Sequence, residues 1–233
     1  MELARPPFQS RQTLHQRAVP RSAQSPSDSE ELANSITHGL GCLLSIVGSC
    51  VLLQDAMVCC SPLLITGCAF YAATLVGLYA ASTLSHVARD PQWKHRFRMW
   101  DQAFIYLLIA GSYTPYGLAY LGTGWWWGIS AVMWAVAAVG VVSKLCLAHR
   151  VEVVSVATYF LLAWFPVLSL PRMISIAPSG CIFWVLVGGA CYTTGTLFLV
   201  FDRKYPFFHA VWHILVVAGS TCHFLGVLLY IVA

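Results

Sequence analysis

The chain reads as an all-α membrane protein, a seven-transmembrane helix bundle with its N-terminus cytoplasmic and its C-terminus outside. Three observations lead there. First, 58% of the 233 residues are hydrophobic and 9% are charged, against roughly 25% charged in soluble domains. Second, seven apolar stretches each approach the ~20 residues that a helix needs to cross the hydrocarbon core. Third, seven spans would place 12 of the 13 Lys and Arg on one side, leaving only Arg172 on the other, an asymmetry that marks the cytoplasmic face.

Residues 1–30 hold Pro6, Pro7, Pro20 and Pro26 among Arg, Ser and Gln. Such a segment cannot bury a core and is expected to be a disordered cytoplasmic tail, with residues 31–233 forming the membrane domain. Ser27-Asp28-Ser29-Glu30-Glu31 has the chemistry of a helix start and leads into span one, Ala33–Leu53. Span two covers Pro62–Ser85 and span three Gln102–Leu121. Span four, Trp125–Leu147, opens on Trp125-Trp126-Trp127, an aromatic belt suited to the membrane interface. Span five is Val153–Leu170, span six Cys181–Val200 and span seven Phe208–Val232. Pro115 and Pro166 fall inside spans and are expected to kink them.

Polar residues gather at one end of this topology. Span one begins with Glu31, Asn34, Thr37 and His38 at helical spacing. Span two ends with Ser82 and His86, one turn apart. Span three begins at Asp101, and span seven offers His209 and His213 on one helical face. Ionisable groups inside membrane spans are costly and are retained for a task. His86, His209 and His213 supply three nitrogen ligands, the number a catalytic zinc ion uses while keeping one position open. A water there has its pKa lowered to near 7. Asp101 is placed to take its proton, and Ser82 to donate a hydrogen bond to the carboxylate or to a developing oxyanion. His223 lies ~21 Å beyond His209 along a straight helix, too far to share the ion. For His38 and His223 the sequence leaves open a ligand-supporting or an interhelical packing role. Asn34 and Thr37 are expected to cap or to bond helix to helix, and His15, His95 and His149 to be solvated.

Other classes fit poorly. The basic residues are dispersed, with no patch that could track a phosphate backbone, so no nucleic-acid partner is expected. Nine cysteines without a CxxC pair argue against a disulfide framework or a Cys-type zinc site, leaving at most one bridge between Cys59-Cys60 and Cys181. A GxSxG elbow is absent, which disfavours a serine triad.

Glu31-x2-Asn34-x2-Thr37-His38, Ser82-x3-His86 followed by Asp101, and His209-x3-His213-x9-His223 together resemble the three signature blocks of the progestin and adipoQ receptor family, whose bacterial branch is called hemolysin III. The resemblance covers almost the whole chain from Glu31 onward. It implies a seven-helix fold with a zinc ion near the inner leaflet. The positions matching the family's zinc ligands are His86, His209 and His213, with Asp101 and Ser82 matching its Asp and Ser beside the metal. It further implies hydrolysis of a lipid amide, because the adiponectin receptors are similar to alkaline ceramidases in site layout.

The expected function is therefore that of an integral, multi-pass membrane hydrolase. It would use zinc to cleave a ceramide-like amide or ester of a membrane lipid. Two alternatives remain open, a receptor or sensor with structural zinc, and a hemolysin III-type cytolysin.

Overall fold

The computed structural model describes residues 25–146 and 152–232, with side chains from residue 156 onward in the second segment. The described residues form helices and contain no strand. Most of the tail read as disordered, together with His15 and His149, lies outside the described residues.

Helix α1 runs from Asp28 to Cys59. Its start is dictated by local chemistry. The Ser27 hydroxyl accepts from the Glu30 N–H while the Glu30 carboxylate accepts from the Ser27 N–H, a reciprocal cap that satisfies two orphan donors. Helix α2 spans Pro62–Val87 and α3 spans Pro91–Tyr120. Each has a polar N-cap, Ser61 or Asp90, followed by a proline at the first helical position, where its missing N–H costs nothing. A 3₁₀ turn at Gly124–Trp126 leads into α4, Trp127–Cys146. Trp125 and Trp127 are exposed, as an interfacial belt requires.

Helix α5 covers Glu152–Trp164. The expected single span Val153–Leu170 is interrupted here: Pro166 sits in a 3₁₀ turn, Phe165–Ser169, and the short α6, Leu170–Ile176, follows. Two prolines five residues apart, Pro166 and Pro171, explain the break, since each removes an N–H from the helical ladder. Pro115, by contrast, is contained within a continuous α3. Helix α7 spans Ser179–Val200 and α8 spans Phe208–Tyr230. All nine cysteines are free, so no bridge joins Cys59 or Cys60 to Cys181.

Among the described residues, six helical segments are long and apolar enough to cross a membrane: Asp28–Cys59, Pro62–Val87, Gly124–Cys146, Val156–Ile176, Ser179–Val200 and Phe208–Tyr230. The expected seventh, Gln102–Leu121, falls on α3, which is long but insufficiently apolar to count with the six. Its first eleven residues carry Lys94, Arg96, Arg98 and Asp101, and its remainder holds Tyr106, Tyr113, Tyr116 and Tyr120 with Ser112 and Thr114. The physical reason is its position. α3 packs against α2, α4, α5 and α8, so its polar hydroxyls meet protein rather than surroundings.

Close approach relies on small residues, as in packed helices within membranes. A Cβ at Gly111 of α3 would collide with Thr74 of α2, and one at Gly41 of α1 would press on Tyr79 and Val217. These contacts draw α1, α2, α3 and α8 together.

Candidate metal centre

His86 belongs to the last turn of α2, and His209 and His213 to the first two turns of α8. One potential ligand atom from each lies within 4.8 Å of the other two. The ring centroids are 5.4 Å apart for His86 and His209, 5.1 Å for His86 and His213, and 4.6 Å for His209 and His213.

Each ring is held by its Nδ1. His86 Nδ1 donates to Glu31 Oε2 at 2.6 Å, and His209 Nδ1 donates to Asp202 Oδ2 at 2.8 Å. His213 Nδ1 lies 3.3 Å from both the Asn34 carbonyl and the Thr37 hydroxyl. Because the Thr37 hydroxyl proton is directed to a carbonyl of its own helix, His213 is the donor in both contacts. Carboxylate and carbonyl acceptors thus fix one tautomer on all three rings and leave Nε2 with its lone pair. A carboxylate or carbonyl behind each ligating histidine is the usual support of a metal site. His213 Nε2 is buried without a protein partner, an arrangement a cation would relieve. The residues present therefore fit a metal ion.

The supports are themselves anchored. Glu31 also receives Lys94 Nζ at 2.7 Å, with Arg98 at 3.7 Å. Its neighbour Glu30 accepts the Phe207 N–H at 3.1 Å. Phe207 caps α8 with a left-handed backbone, φ 61°, a conformation costly for a residue with a Cβ. The bond to Glu30 helps hold it there.

Ser82 and Asp101 stand beside the histidines. Ser82 is fully buried, lies 2.7 Å from His38 Nδ1 and stands within reach of the Asp101 side chain. Asp101 Oδ1 is buried with no protein partner. His38 stacks flat on His213, with centroids 3.5 Å apart and planes 16° apart, while Tyr79 meets it edge-on at 5.1 Å. His38 thus touches a grouped histidine and the Ser82 hydroxyl at once. Asn34 and Thr37 do bond helix to helix, and the bond runs through His213. His223 stands apart from the cluster, its Nε2 3.3 Å from the Val185 carbonyl, and His95 is exposed.

Asp202 escapes a reading by motif because it lies in the turn before α8, seven residues from the ring it supports. A signal was present: it is the only Asp or Glu after Glu152. Glu31 stands out only as part of a polar stripe, since its partners belong to other helices.

A cavity of about 550 Å³ opens beside this cluster. His38 and Asp101 contribute to its wall, which is otherwise mostly apolar, with Leu108, Ile109, Phe160 and Leu186 among the lining residues.

A family model described as Haemolysin-III related matches residues 27–224. Hemolysin-3 of Bacillus cereus is 33% identical over 202 residues, covering 87% of this chain and 92% of that protein. A hemolysin-3 homolog of Bacillus subtilis (strain 168) is 32% identical over 203 residues, covering 87% and 95%. Human monocyte to macrophage differentiation factor is 27% identical over 230 residues, covering 94% and 91%. No solved structure matches the chain.

Proposed function

The chain belongs to the haemolysin-III-related family of integral, multi-pass membrane proteins, and from its polar cluster we propose that it is a zinc-dependent hydrolase acting on a lipid amide or ester. One observation carries the proposal. Three histidines, each oriented through Nδ1, gather near a buried, partly unpartnered carboxylate, Asp101, which with His38 lines an apolar cavity.

His86, His209 and His213 would hold the ion through Nε2. When bound, zinc lowers the pKa of a coordinated water toward neutrality and polarises a carbonyl oxygen. Asp101 accepts the proton of the attacking water and returns it to the leaving nitrogen or oxygen, so that one carboxylate serves as base and then acid. Ser82 receives the His38 Nδ1 proton in a hydrogen bond and directs its own hydroxyl toward Asp101, fixing the carboxylate's orientation. The apolar wall receives the acyl chain and excludes bulk water. In this reading α3 is the seventh crossing, its lipid-facing surface reduced by the helices around it, and the histidine cluster faces the cytoplasm, where the basic residues gather. A tag at the C-terminus reachable only from the cytoplasm would overturn that orientation.

The test is metal content and turnover on the same preparation. The purified protein should carry one zinc per chain and cleave a fluorescent ceramide. Chelation should abolish cleavage and zinc should restore it. Cleavage indifferent to chelation overturns the metal's role. A zinc-loaded protein that cleaves neither amide nor ester lipids leaves the ion as a clamp between α2 and α8, the receptor reading. Lysis of cells, the activity in the names of the Bacillus relatives, would have to persist after chelation to stand as the primary function.

The supporting carboxylates give a second expected outcome. Asp202→Asn keeps the size of the side chain but weakens the bond that orients His209 and raises its basicity. Zinc affinity should fall by about 10–100-fold, read by competition with a chromogenic chelator. Unchanged affinity would show that His209 needs no such support.

A further inference from the structure

At the end of the bundle away from the histidine cluster, α1 closes on two adjacent thiols. Cys59 is its last residue and Cys60 its C-cap. From His38 to Cys59 the helix rises about 32 Å, so the pair stands a membrane thickness away from the cluster. Cys59 is exposed and Cys60 half-buried.

Helix α8 ends against them. The final carbonyls of a helix have no intrahelical donor. Tyr120 donates its hydroxyl to the Tyr230 carbonyl at 2.8 Å, but the next two carbonyls meet sulfur. Cys59 Sγ lies 2.8 Å from the Val232 oxygen, and Cys60 Sγ lies 3.9 Å from the Ile231 oxygen. A thiol is a weak donor. The one proton of Cys59 is also shared with the Asp55 carbonyl, 3.1 Å from Sγ. Two sulfurs and two main-chain oxygens thus face one another with little to hold them together.

The sulfurs are 3.9 Å apart, and two lengths decide what such a pair can do. Adjacent residues hold their Cα atoms ~3.8 Å apart, short of the ~4.4–6.8 Å usual for a disulfide, so closure to a bridge is disfavoured. Two thiolates on one tetrahedral ion, with bonds of ~2.3 Å, stand ~3.8 Å apart. The pair already has that spread.

We propose that Cys59 and Cys60 chelate a soft cation of the zinc and cadmium class, with the Ile231 and Val232 carbonyls completing four donors. Thiolates select such ions. Two sulfur–metal bonds form, and the two thiol protons leave to solvent. Bound there, the cation ties the end of α1 to the end of α8 and gives the terminal carbonyls a stronger partner than a thiol. No CxxC spacing announces the site, because half of its donors are main-chain atoms 171 to 173 positions away. The site is separate from the histidine cluster and from the hydrolase reaction proposed there.

The full chain, its histidines loaded with zinc, is titrated with cadmium. One cadmium per chain should produce the ultraviolet charge-transfer absorption of a thiolate–cadmium bond, which imidazole ligands do not give, and should release two protons. Combining Cys59→Ser with Cys60→Ser should weaken that binding by more than about 100-fold. Cys146→Ser, which alters an exposed thiol on α4, should leave it unchanged. The natural chain supplies a readout should the double variant fail to fold. Cadmium should protect Cys59 and Cys60, but not Cys146, from alkylation by a maleimide, measured peptide by peptide in a mass spectrometer. Absorption that survives in the double variant, or alkylation of Cys59 and Cys60 at the same rate with and without cadmium, overturns the site.

Discussion

An Asp101→Asn protein is expected to keep its zinc and lose turnover by about 10²–10⁴-fold, the usual contribution of a positioned general acid–base group. The substitution preserves shape and the capacity to accept from Ser82, so α2 and α3 should pack as before. What it removes is a group able to take a proton and hand it on. Asp101 is not among the three grouped ligands, and its Oδ1 has no protein partner. Loss of the charge therefore strikes proton transfer before it strikes binding. The measurement is ceramide turnover beside zinc per chain. Full zinc with unchanged turnover excludes Asp101 from the reaction, and loss of zinc makes it a ligand instead of a base.

His213→Ala should be the most damaging single change to the metal centre. It deletes the fully buried member of the triad and strips His38 of the ring stacked on it. Since losing an outer support alone costs 10–100-fold, losing a ligand should lower zinc affinity by more than ~100-fold. Linkage gives a second readout. Zinc at a hundred times its Kd stabilises a folded protein by about 2.7 kcal/mol. Adding zinc should raise the melting temperature of the natural chain and leave the variant unmoved. A variant that still melts higher with zinc would break the assignment of His213. His95→Ala is the matched control, because His95 is exposed and remote from the cluster.

How far the sequence could be read depended on whether a relation lay within one helix or between helices. His209 and His213, or Ser82 and His86, are one turn apart, and one-turn neighbours share a face whatever the fold does. Their convergence with Asp101 followed from placing each at the same end of its span. The stack of His38 on His213 needed the rotation of α1 against α8, which no local periodicity encodes. The same holds for Glu31, whose salt bridges reach α2 and α3. Helix α3 was legible as a helix. Its polar side chains, tolerable because four other helices surround it, keep it outside the six strongly apolar spans. The break after Trp164 was half legible: Pro166 signalled a disturbance, but the 3₁₀ turn and separate α6 required Pro171 as well.

The bonds from Glu30 to Phe207 and from Asn34 and Thr37 to His213 join residues 176 to 179 positions apart. They unite α1 with α8. Two of the three grouped histidines reside on α8, so a chain still emerging offers only His86, with Glu31 behind it and nothing opposite. The three-histidine cluster is consequently assembled only after α8 has been made. A nascent bundle that stalls before α8, or misplaces it, is left without the cluster. Closing the cluster therefore waits on the meeting of α1 and α8.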